Sequence, residues 1–118
     1  MTVDTGASSR NPELDRRRGY GIAVTKLNVN RESPSYITYK WTSMGRSPNK
    51  FTVWLVNVAS RDYYMAVETV WTSDGKGIAP LDPLPHRAGE YQLVLTKHNF
   101  YGTVYAKSRT FHVYPSDF

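Results

Sequence analysis

The chain has 118 residues, 40% hydrophobic, 14% aromatic and 21% charged, with no cysteine. That length suits one core, the composition excludes intrinsic disorder for most of the chain, and the missing cysteine excludes disulfides, thiolate nucleophiles, cysteine zinc sites and iron–sulfur clusters. Fifteen Lys and Arg against ten Asp and Glu give +5, spread along the chain rather than gathered in a nucleic-acid footprint, so no nucleic-acid partner is expected.

Residues 1–19 (MTVDTGASSRNPELDRRRG) are polar, charged and without periodicity, which predicts a flexible, disordered leader ahead of a single domain over 20–118. The leader has no apolar core of the secretory kind, and Arg16-Arg17-Arg18 reads as a polar tail with a basic processing site as the alternative. From Tyr20 onward short β-rich runs alternate with turn formers. Ile22–Val29 is the first run, ended by Asn30–Ser35 with its Pro34. Tyr36–Thr42 carries the clearest period-2 signal, with Ile37, Tyr39 and Trp41 on one face. After the loop Met44–Lys50, the strand Phe51–Val58 puts Phe51, Val53 and Leu55 on one side and Trp54, Val56 and Val58 on the other.

Ala59–Asp62 is a polar break before the strand Tyr63–Thr72. Ser73–Gly89, rich in glycine and proline, is predicted to be irregular. Glu90–Lys97 resumes as a strand facing Tyr91, Leu93 and Leu95 inward; His98–Gly102 is a turn; Thr103–Ala106 and Arg109–Tyr114 are two further strands. No window has helical periodicity and none approaches the ~20 apolar residues of a membrane-spanning helix. The pattern predicts an all-β, two-sheet antiparallel sandwich of immunoglobulin- or fibronectin-like type, with a small barrel as the alternative.

Three segments in fixed order carry a resemblance: Ser35–Thr42 followed by Phe51–Asn57, then Pro80 to Leu95 with Gly89-Glu90-Tyr91-Gln92-Leu93, then Tyr101-Gly102 to Val113 ending Phe111-His112-Val113. Together they resemble the immunoglobulin-like module of fungal cell-wall proteins, the yeast family of β-1,6-glucan assembly and its Ser/Thr-rich lipid-anchored relatives. That resemblance implies a secreted protein of the cell wall or apoplast that contacts wall glucan or another wall protein. A secreted effector-like protein is one alternative; a cytoplasmic interaction module with Met1 as its true start is another.

Chemistry has little to hold on to. His86, His98 and His112 are isolated from one another in sequence, no nucleophile elbow is present, and Glu68 stands mid-strand without a carboxylate partner. Gly75-Lys76-Gly77 precedes no helix and so makes no phosphate cradle. No catalytic, metal or cofactor residues are expected, and a binding or scaffolding role follows. The aromatic residues outside the expected core are the candidate contact set: Trp54, Val56, Tyr64, Tyr36 and Tyr114. Strand Phe51–Val58 is apolar on both sides, so something must cover Trp54 and Val56. The cover is the Pro80–Pro85 loop of this chain, a protein partner or second copy, or a sugar ring.

Overall fold

The computed structural model describes residues 20–32 and 34–118; the leader and its arginine triplet lie outside the described residues. Seven strands follow in order: β1 Ile22–Asn30, β2 Tyr36–Ser43, β3 Lys50–Asn57, β4 Tyr63–Trp71, β5 Lys76–Pro80, β6 Gly89–Lys97 and β7 Phe100–Val113. They form two antiparallel sheets, β1-β2-β5 and β4-β3-β6-β7, packed face to face. The fourth strand thus joins the sheet of the third, sixth and seventh, as in fibronectin-type members of the immunoglobulin-like sandwiches. The expected all-β sandwich is the fold.

Alternation fills the space between the sheets. Ile37, Tyr39 and Trp41 from β2 meet Phe51, Val53 and Leu55 from β3 and Tyr91, Leu93 and Leu95 from β6, all buried. Trp41 stacks on Tyr39 at 5.5 Å and meets Phe51 in a T-shaped contact at 5.1 Å, while its indole N–H donates to the Thr72 carbonyl at 2.9 Å. Tyr91 begins the return strand as a corner: its hydroxyl donates to the Arg87 carbonyl four residues upstream, at 2.9 Å. The C-terminus is clipped to the β1–β2 connection by Asp117, whose carboxylate accepts from Arg31, from the Ser35 hydroxyl and from the Tyr114 backbone N–H.

Three expectations need correction. The stretch Ser73–Gly89 is not irregular throughout: it contains β5, which pairs with β2 from Tyr36↔Pro80 to Lys40↔Lys76. Gly77 and Pro80 disguise a strand that owes its existence to the neighbour it pairs with. Gly77 is required there, since a Cβ would lie 2.7 Å from the Tyr39 hydroxyl. The last two expected strands are one continuous β7, and the expected five-residue turn shrinks to His98-Asn99, with Asn99 at φ 59°. Finally, the Pro80–Pro85 loop does not cover Trp54. Leu81 and Leu84 from that loop enter the main core instead.

Candidate functional site

Trp54 and Val56 stand on the outer face of the four-stranded sheet because Val53 and Leu55 beside them point inward. Both are nonetheless buried, Trp54 to 8% exposure, in a second small cluster with Val94, Tyr63 and Val104. The indole meets the rings of Tyr63 at 5.9 Å and Tyr101 at 5.6 Å, both edge to face, and those two tyrosines lie 4.9 Å apart. Its N–H donates to the Thr96 hydroxyl at 2.7 Å, which in turn donates to the Lys97 carbonyl at 3.0 Å. The indole is satisfied both by packing and by hydrogen bonding, within its own chain.

The cover comes from an irregularity in the β6–β7 ladder. Lys97 pairs with Phe100 and Thr96 with Val104, so Tyr101-Gly102-Thr103 are extruded from the pairing. That bulge lets Tyr101 reach past β6 to Trp54 on β3 and Tyr63 on β4. A Cβ at Gly102 would sit 2.6 Å from the Phe100 ring, so a larger residue there would displace that exposed ring. The adjoining turn is tied down across the same face. Asn99 donates its backbone N–H to the Thr52 hydroxyl at 2.8 Å and its side-chain amide to Glu68 at 3.1 Å, while His98 and Thr69 share a hydrogen bond of 2.8 Å.

What reaches solvent above Trp54 is therefore Tyr101, 59% exposed, with Tyr63 half-buried and Met65, the cross-strand partner of Trp54, exposed beside them. The five candidate residues do not gather in one patch. Trp54 and Val56 form the foundation of this surface. Tyr64 points the other way, against the main core, because register shifts in the β3–β4 pairing change which residues of β4 face inward; its neighbour Tyr63 takes the outer position. Tyr36 lies on the other sheet, paired with Asn30 and Pro80. Tyr114 follows β7, with the Arg31 guanidinium over its ring at 4.7 Å and His112 at 4.5 Å. Tyr101, read as a turn residue, was missed; Gly102 beside it reads equally well as a turn former, so the signal was ambiguous.

Two buried titratable groups are shifted by their surroundings. Burial alone would raise the Asp117 carboxyl, but hydrogen bonds from the Tyr114 N–H, Arg31 and Ser35, with the Arg31 charge, hold it below the ordinary carboxylate value. Burial pushes the Tyr39 phenol far above its ordinary value, and its oxygen has no hydrogen-bond partner among the described residues. No group of three or more His, Cys, Asp or Glu side chains converges as a metal would require, among the described residues. No helix there is long and apolar enough to cross a membrane.

No family model matches the chain, and neither the curated proteins nor the solved structures give a significant match to it.

Proposed function

We propose that the chain is a non-catalytic binding module that seats a partner protein on the outer face of its four-stranded sheet, at Tyr101, Tyr63 and Met65. One observation carries this reading: a three-residue bulge spends ladder hydrogen bonds to hold Tyr101 out at 59% exposure on an aromatic foundation that is already sealed. Tyrosine and methionine around a rigid aromatic base suit protein contact. Sealing Trp54 withdraws its indole from stacking on a sugar at this patch, which favours a protein over glucan there. The resemblance to fungal cell-wall modules supplies the setting, a wall protein at the cell surface. Support for a non-catalytic role comes from the titratable groups: Asp117 is committed to the chain terminus, and Glu68 and His98 to the β6–β7 turn.

The test is site-directed photo-crosslinking from position 101, with position 82 as control, in an extract of the source cells. A discrete protein adduct from 101 alone, lost on Met65→Asp, supports the reading. Equal adducts from both positions contradict it, as does retention on insoluble glucan that Tyr101→Ala abolishes.

A further inference from the structure

The opposite face of the molecule carries a feature the aromatic patch does not explain. On the outer surface of β1-β2-β5, Lys26 pairs directly with Lys40 and Lys40 with Lys76, making an unbroken row of three ammonium groups across the sheet. Like charges directly opposite one another destabilise a sheet, since opposed Cβ atoms are only about 5 Å apart. No carboxylate forms an ion pair with any of them among the described residues. One step along the strands the next row is Asn28, Thr38 and Ile78, and together the two rows line an open groove of about 530 Å³. A third row holds Asn30, Tyr36 and Pro80, with the Asn30 amide donating to the Thr38 hydroxyl at 3.1 Å. Rows repeat every ~6.7 Å along a strand, so the three cover about 13 Å.

We propose that this face binds an acidic polysaccharide, with carboxylates of the glycan against the lysine row, its hydroxyls at Asn28 and Thr38, and a sugar ring against Tyr36. Three arguments select that occupant. The charges are lysines, with no arginine lining the groove, so they meet an anionic chain as separate point charges rather than gripping a single carboxylate or phosphate in a bidentate fork. Strand β2, which carries the central Lys40, is paired on both sides, so a peptide adding as a further strand would sit at the β1 or β5 edge and would not lie over the middle of the lysine row. The amide and hydroxyl beside the cations match a polyhydroxyl chain. This site lies on the other sheet from the Tyr101 surface and stands or falls independently of it.

Titrating the full chain with polygalacturonate tests the proposal, with neutral dextran, poly-glutamate and single-stranded oligo-dT as comparison probes. Binding of polygalacturonate over all three, weakened by salt over roughly 0.05 to 0.3 M, is expected. The triple variant Lys26→Gln, Lys40→Gln, Lys76→Gln should lose about tenfold in affinity. It should fold at least as well, since repulsion is removed. The corresponding three Lys→Arg changes should retain binding to within a few-fold. Unchanged affinity in the glutamine variant overturns the proposal, as does tighter binding of poly-glutamate, oligo-dT or dextran than of polygalacturonate.

Discussion

Replacing Trp54 by alanine removes the foundation of the outer-face cluster, and the size of the loss can be worked from its surroundings. A Trp side chain covers some 150–250 Å², of which only 8% of the residue remains exposed here. At about 25 cal/mol per Å² this corresponds to about 4 kcal/mol, within the range of large-to-small core substitutions. Tyr101→Ala, on a residue 59% exposed, should cost about 1 kcal/mol. Trp54→Phe keeps a ring but loses the donor to Thr96, which still donates to Lys97, so about 1.5 kcal/mol is expected. For a domain of this size roughly 4 °C of melting temperature accompanies each kcal/mol, so the alanine variant should melt about 15 °C lower. Urea denaturation of the three variants at constant slope measures the series. A Trp54→Ala loss below about 1 kcal/mol, or one matched by Tyr101→Ala, would refute the view of Trp54 as foundation and Tyr101 as contact.

Two further outcomes follow from buried polar groups. Tyr39→Phe removes a hydroxyl that is buried without a partner among the described residues and lies close above Gly77, so stability should hold or rise by up to about 1 kcal/mol in chemical denaturation. A clear loss would mean that the oxygen has a partner after all. Asp117→Ala breaks the clip to Arg31, Ser35 and Tyr114 and should cost about 3 kcal/mol at neutral pH. Because the folded carboxyl is held below its unfolded value, its contribution is complete above about pH 3.9 and fades as pH falls through the lower folded value. The gap between parent and variant should therefore narrow on acidification below about pH 4, and a gap that widens would contradict the assignment.

Most of the architecture was legible because alternation reports burial directly. Tyr36–Thr42 announced β2 and its inward Ile37, Tyr39 and Trp41, and the two-sided apolar pattern of Phe51–Val58 announced a second cluster around Trp54. What escaped was decided by partners distant in sequence. β5 is a glycine- and proline-containing pentapeptide whose pairing with β2 no local pattern encodes. The register shifts opposite β4 exchanged the roles of Tyr63 and Tyr64, and a period-2 count carried along one strand cannot anticipate them. The bulge at Tyr101-Gly102-Thr103 read as a turn, because a glycine after two aromatics signals either. The lysine row had the same origin: Lys26, Lys40 and Lys76 are far apart in the chain and become neighbours only through cross-strand register.

Hydrogen exchange at the tryptophan indoles, followed by NMR, bears most directly on whether the outer-face aromatic base is sealed. Trp41 and Trp54 each donate to an oxygen of their own chain, whereas Trp71 is 52% exposed. Two slowly exchanging indole protons and one fast are predicted, the fast one lost on Trp71→Phe. A Trp54 indole exchanging as fast as that of Trp71 would contradict the account, because the contact surface would then begin at the indole itself.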